Sequence, residues 1–182
     1  MTQRLILTSF IVLLFLAPAV TPAAETTAET INFWKERAKR GSATTPFQLG
    51  LAYQKGEGVL QDKSEAAKWY SLGAQRGDLQ AALMLAKMYS RGEGVQKNEE
   101  KAIELFVDIG KSDSVLGSMA RCHLLIFTRN YSLGNEGIMP DREKARYLFE
   151  RLGEIEIAIM DKKNKQMDKL FEEQERILDS IK

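Results

Sequence analysis

The chain is predicted to fold as an all-α protein: a short α/α solenoid of antiparallel helix pairs with a long C-terminal capping helix. Three observations predict it. A stretch of sequence recurs at a shift of 36 residues. Within each copy apolar residues fall at i, i+3 and i+4, the spacing of one helix face. Residues 154–182 carry a seven-residue apolar rhythm with charged residues between.

Length and composition frame the reading. A chain of 182 residues suits one domain of ordinary size, long enough to bury a core. Hydrophobic residues make up 44% and charged residues 28%, a globular balance. The formal net charge of +1 predicts no overall pull toward nucleic acid or acidic lipid.

The first residues read as an address. Arg4 precedes an apolar run from Leu5 to Leu16, broken only by Thr8 and Ser9. Small residues then lead from Ala17 through Pro18, Ala19 and Pro22 to Ala24, before the acidic Glu25. This is the pattern of a secretory signal peptide over residues 1–24. A spanning helix needs about 20 apolar residues, and Pro18 and Pro22 end this run early, so a cleaved peptide is favoured over an anchor. Ala23 or Ala24 is the expected last residue removed, with Ala19 also satisfying the small-x-small rule. A mature form starting at Glu25 is neutral overall and keeps no stable membrane span. Cys122 is the only cysteine. It allows no intrachain disulfide, so an exported domain must rely on packing, and Cys122 itself is expected to be a small buried residue.

The mature chain then divides into a repeat domain, residues 25–153, and a C-terminal amphipathic helix, 154–182. At the 36-residue shift Leu49, Tyr53, Gly56, Glu57, Gly58 and Val59 lie over Leu85, Tyr89, Gly92, Glu93, Gly94 and Val95. Ala66 falls over Ala102, and Trp69-Tyr70 over Leu105-Phe106. Run backwards, the shift places Phe33-Trp34 under Trp69-Tyr70 and Ala38 under Ala74. The units are therefore a half repeat at 30–42 and repeats at about 43–78, 79–114 and 115–153. The third copy is looser: Tyr131, Gly134, Gly137, Ile138, Asp141 and Ala145 follow the series at a shift of 42, then 43.

Each unit reads as two antiparallel helices. Leu49, Ala52 and Tyr53 form the buried face of the first. Gly56 and Gly58 end it, because glycine takes a positive φ without a Cβ clash. Val59 and Val95 fold back under the turn. Asp62, Asn98 and Asp141 stand where the second helix starts, with side chains able to accept from free backbone N–H groups. Asp62 with Glu65 also has the capping-box spacing. Ala66, Ala102 and Ala145 are small where helices must approach, and Trp69 and Tyr70 supply bulk between repeats. Short connections make neighbours antiparallel.

The run Leu49-Gly50-x-x-Tyr53-x-x-Gly56-x-Gly58-Val59-x-x-Asp62, followed by Ala66-x-x-Trp69-Tyr70-x-x-x-Ala74-x-x-Gly77, resembles the Sel1-like repeat, a relative of the tetratricopeptide repeat. The resemblance covers about Thr30 to Leu152. The second copy departs from it at Ala86, Asn98, Leu105 and Asp113. It implies an α/α solenoid with a curved groove, used in that family for adaptor and assembly roles.

In the tail, Met160, Met167, Gln174 and Ile181 recur every seven residues, joined by Leu170, Phe171, Ile177 and Leu178. Two readings compete: a cap over the last repeat, or a coiled-coil homodimer. Gln174 at a seam position and the short length favour the cap, with Ile155 to Met160 packing on the third helix pair.

Groupings that carry chemistry are scarce. His123 is the only histidine, and its neighbour Cys122 points elsewhere on a helix, so neither a catalytic triad nor a Cys–His pair is expected. One His and one Cys do not make a zinc site. Gly56-x-Gly58 and Gly92-x-Gly94 lack the lysine, serine and preceding strand of a phosphate loop. Glu57 and Glu93 recur in the turns, which argues for structure. Lys35, Arg37, Lys39 and Arg40 read as a solvated helix face. No cofactor, metal or catalytic residue is assigned.

Function then rests on the groove. If Leu49, Ala52 and Tyr53 face the core, Gln48, Leu51 and Lys55 face away, with Met84, Lys87 and Arg91 as their equivalents. The expected function is an exported adaptor, periplasmic or secreted, that binds a protein partner through those residues and is not an enzyme. The alternative is β-lactam binding or hydrolysis, which the resemblance implies for a disulfide-rich branch of the family. That branch pairs cysteines within its repeats, and this chain has Cys122 alone.

Overall fold

The computed structural model describes residues 27–134 and 140–181. The signal-peptide reading, Gly137 and Ile138 lie outside the described residues. Seven helices are described: α1 (Ala28–Lys39), α2 (Thr45–Lys55), α3 (Lys63–Gln75), α4 (Leu79–Arg91), α5 (Glu99–Gly110), α6 (Val115–Leu133) and α7 (Arg142–Ile181). Each packs on the next in chain order. First helices also meet along the stack, α2 on α4 and α4 on α6, as do the second helices α5 and α7. The expected all-α solenoid is the fold observed.

The turns are built as the repeat predicts. The first helix of each pair ends on a left-handed glycine: Gly56 at φ 79°, Gly92 at 72° and Gly134 at 72°. Gly58 and Gly94 also have positive φ, 73° and 68°. One backbone hydrogen bond then closes each turn. The N–H of Asp62 donates to the Tyr53 carbonyl (2.9 Å), that of Asn98 to Tyr89 (2.9 Å), and that of Asp141 to Tyr131 (2.8 Å). The same three residues cap the second helices. Asp62 accepts from the Ser64 and Glu65 N–H groups, Asn98 from Lys101, and Asp141 from Lys144. The capping box at Asp62 is half made, because its own N–H is already taken by Tyr53, and Glu65 turns to Lys68 (3.2 Å).

The core runs the length of the stack in three clusters. Ile31, Ala38, Leu49 and Ala52 form the first, with Trp69 packed on it. Ala66, Tyr70, Ala81 and Leu85 belong to the second. The third and largest runs from Ala82 through Phe106 and Leu124 to Ile159. Ala66 and Ala102 are fully buried where helices approach. At Gly50 an added Cβ would sit 2.5 Å from the Tyr70 ring, so the first pair closes only because that position has no side chain. Arg76 reaches back from the end of α3 to the carbonyls of Ala38 and Ser42, both at 2.8 Å. Arg121 on α6 does the same to Gly110 at the end of α5 (2.7 Å) and pairs with Glu156 on α7 (2.9 Å).

The third unit differs from expectation in three ways. Gly153, where the sequence changes character, lies within one continuous helix from Arg142 to Ile181. An interior glycine costs only about 1 kcal/mol, which the burial of Leu152, Ile155 and Ile159 on either side offsets. Of the apolar run Ile155 to Met160, Ile155 and Ile159 are buried, while Ile157 and Met160 are each 64% exposed. Cys122 is exposed rather than buried. It stands on a row with Val115, Met119, Ile126 and Leu133, opposite the buried row of Gly117, Ala120, Leu124, Phe127 and Tyr131.

Candidate interaction groove

The six groove residues divide between α2 and α4. On α2, Gln48 and Lys55 are exposed and Leu51 half-buried; Lys55 pairs with Glu57 in the turn (3.4 Å). On α4, Met84 is half-buried against the second core cluster, which occupies it structurally. Lys87 and Arg91 are brought together one turn apart, on the wall of a cavity of about 270 Å³ between α4 and α6. Gln48, Leu51, Lys55 and Met84 are not part of that wall.

The rest of the cavity comes from residues the sequence argument missed. Lys97 and Glu99 reach it from the turn and the start of α5, and His123, Ile126, Phe127 and Asn130 from α6. A signal for Ile126 existed: the shift of 42 residues that aligns Tyr131 with Tyr89 also sets Ile126 over Met84. His123 has no counterpart in the other copies. It is held by its ring, stacked on Phe106 at 4.7 Å between centroids and 15° between planes.

Charge in the cavity is one-sided. Lys87, Arg91 and Lys97 are cationic, and Glu99 is the one carboxylate on the wall. That carboxylate is already used. It accepts from Lys97 (2.8 Å) and from the Tyr131 hydroxyl (2.8 Å). Burial alone would raise the Glu99 carboxyl, but these bonds outweigh it and hold the group below its usual value. Arg91 is 3.6 Å from Glu93, which Lys63 holds at 3.0 Å. His123 titrates below its ordinary value, first through burial and then through the charges of Lys87 and Arg91. Near neutral pH the site is therefore a cationic rim over an apolar floor of Phe127, Ile126 and a neutral imidazole. Such a surface attracts a carboxylate next to an apolar side chain. Among the described residues no group of His, Cys, Asp and Glu could hold a metal ion, and no helix is long and apolar enough to cross a membrane.

The family model of the Sel1 repeat matches residues 47–78, 79–107 and 129–154. No curated protein matches the chain. Among solved structures, a Sel1 repeat protein from Oxalobacter formigenes is 30% identical with a TM-score of 0.50, over 69% of this chain and 49% of its own. The chain thus spans about half the length of that protein. Helicobacter pylori cysteine rich protein B is 28% identical over 43% of this chain and 59% of its own, with a TM-score of 0.42. The antigen c5321 of uropathogenic Escherichia coli strains, which displays an SLR fold, is 22% identical over 70% of this chain and 34% of its own, with a TM-score of 0.45. With three copies of the repeat in its sequence and seven helices stacked as that repeat stacks them, the chain is a Sel1-repeat protein.

Proposed function

We propose that this protein is an exported interaction scaffold that holds a partner protein by an acidic, apolar-flanked segment seated in the cavity between α4 and α6. Sel1-repeat proteins typically mediate protein–protein interaction, and the repeat supports that class of function here. The observation that carries the finer reading is the cavity wall. Three cationic side chains stand above Ile126 and Phe127, and the wall's one carboxylate is engaged by Lys97 and Tyr131. Export rests on Arg4, the apolar run and the small residues before Glu25, and it places the partner in the periplasm or outside the cell.

His123 makes the binding test direct, because its imidazole resonance is the only one of its kind in the chain. Blocked tetrapeptides pairing Glu with Leu are titrated into the protein and compared with their Gln–Leu counterparts. A seated carboxylate screens Lys87 and Arg91, so the His123 midpoint rises with the Glu peptide only, and Lys87→Ala abolishes the rise. Absence of any shift at millimolar peptide refutes the site. For export, N-terminal sequencing of the mature protein should start near Glu25; intact Met1 in a soluble cytoplasmic form would refute it.

A further inference from the structure

The last second-helix carries a bare face that its counterparts keep covered. Phe149 stands where Trp34, Tyr70 and Phe106 stand in the earlier units. Tyr70 and Phe106 are fully buried. Phe106 lies under the His123 and Phe127 rings of the following helix, α6, and Tyr70 clusters with Ala81 and Leu85 of the following helix, α4. Phe149 is 69% exposed. Gly153 repeats the contrast. Its counterpart Gly110 is buried, with α6 so close that a Cβ would meet Arg121 at 3.3 Å, whereas a Cβ at Gly153 would meet no other part of the described chain within 4 Å. A glycine inside an exposed helix weakens it, and no contact within the described chain requires one there. A stripe continues from Gly153 at spacings of four, three, seven and four through Ile157, Met160, Met167 and Phe171, all exposed, with the polar Asn164 inside the seven-residue gap.

The border of the stripe says what fits it. Along one side run Glu150, Glu154, Asp161, Asp168 and Glu175, all exposed and mostly seven apart. Glu150 is 3.7 Å from Arg146 and Glu154 pairs with Arg151, which leaves Asp161, Asp168 and Glu175 without an ion pair among the described residues. On the other side stand Glu156, Lys163 and Leu170, and Lys163 already pairs with Asp113 (3.2 Å). A second copy of α7 would set this acidic border against itself when antiparallel, and against Glu156, Lys163 and Leu170 when parallel, where Lys163, already paired with Asp113, is the one cation; neither arrangement supplies a basic border.

We infer that the α7 face from Phe149 to Phe171 receives an amphipathic helix of another protein whose apolar seam is bordered by Lys or Arg. That helix occupies the place a fourth repeat's first helix would take. This surface is separate from the α4–α6 cavity and stands or falls independently of it.

Three fluorescein-labelled synthetic helices test the inference by anisotropy against the full chain: a Leu seam with Lys borders, the same seam with Glu borders, and the Lys borders with a Ser seam. Only the first should bind. Ile157→Ser and Met160→Ser, both at exposed positions, should each weaken it at least ten-fold with the circular dichroism spectrum unchanged. Asp161→Lys with Asp168→Lys should transfer preference to the Glu-bordered helix. Three outcomes overturn the proposal: no binding of the Lys-bordered helix, equal binding of the Ser-seam helix, or indifference to the double charge reversal. So does a dimer in sedimentation equilibrium that Phe149→Ser dissolves, since the second copy would then be the occupant.

Discussion

Gly94→Ala separates two costs that usually come together. Gly94 has φ 68°, and a Cβ built there would lie 2.3 Å from the backbone carbonyl oxygen of Lys63 at the start of α3. Gly77 has φ 83°, with nothing within 4 Å of its Cβ. Alanine at Gly77 therefore meets only the left-handed strain, about 1 kcal/mol, for a loss of roughly 2–4 °C in a chain of this size. Alanine at Gly94 meets that strain and must also move the turn off α3 by roughly 1 Å, the shortfall from ordinary van der Waals contact. The neighbour is backbone and cannot rotate away, so overpacking adds about 1–3 kcal/mol, and the Lys63–Glu93 pair at 3.0 Å is disturbed with it. The expected total is about 2–4 kcal/mol, or roughly 4–16 °C. Thermal melts of both variants, followed by circular dichroism, decide the matter. Equal losses at Gly77 and Gly94 would show that the turn does not bear on the preceding repeat.

Three further outcomes are expected. His123, with its folded value below the ordinary one of about 6.5, binds its proton less readily in the folded chain than in the unfolded one. Its contribution to stability is thus present above the unfolded value and is lost as pH falls through the folded one; Lys87→Ala should raise the midpoint in an NMR titration and narrow that window. Tyr70→Phe deletes the 2.7 Å bond from the buried ring's hydroxyl to Gln54 Oε1, and should lower the unfolding free energy by about 1 kcal/mol, read as a lower urea midpoint at unchanged slope. Ile155→Ala, at a position 3% exposed, should cost about 2–4 kcal/mol, whereas ending the chain after Asp161 removes a stretch whose described side chains, Lys162 to Arg176, are all exposed, with one exposed ion pair, and should change stability by less than about 0.5–1 kcal/mol.

Much of the fold was legible because its determinants are local. The Tyr, Gly and Asp of each turn act within a dozen residues of one another, so their recurrence was enough to place helix pairs, glycine ends and caps. What escaped the sequence depends on distant neighbours. Cys122 has the composition of a core residue, yet it sits on the exposed row of α6, opposite the row that enters the core. Gly153 has the look of a boundary, but Leu152, Ile155 and Ile159 grip the body on both sides and carry the helix through it. Lys87 and Arg91 could be named from the sequence because the 36-residue shift sets them over Leu51 and Lys55. Their partners in the cavity were not, since His123, Phe127 and Asn130 reach it from a helix whose length had no precedent in the earlier copies.

The bond from the Tyr53 carbonyl to the Asp62 N–H has a consequence beyond closing a turn. Its second and third versions join Tyr89 to Asn98 and Tyr131 to Asp141, and the last of these bridges one residue more than the others. The clasp holds the end of one helix against the start of the next and forms equally well with one residue more between its ends. Sequence can therefore lengthen by a residue at that point and keep the clasp. For anyone grafting a binding loop or a label into this scaffold, the sequence between Gly134 and Asp141 is the place where the chain itself has already accepted an added residue.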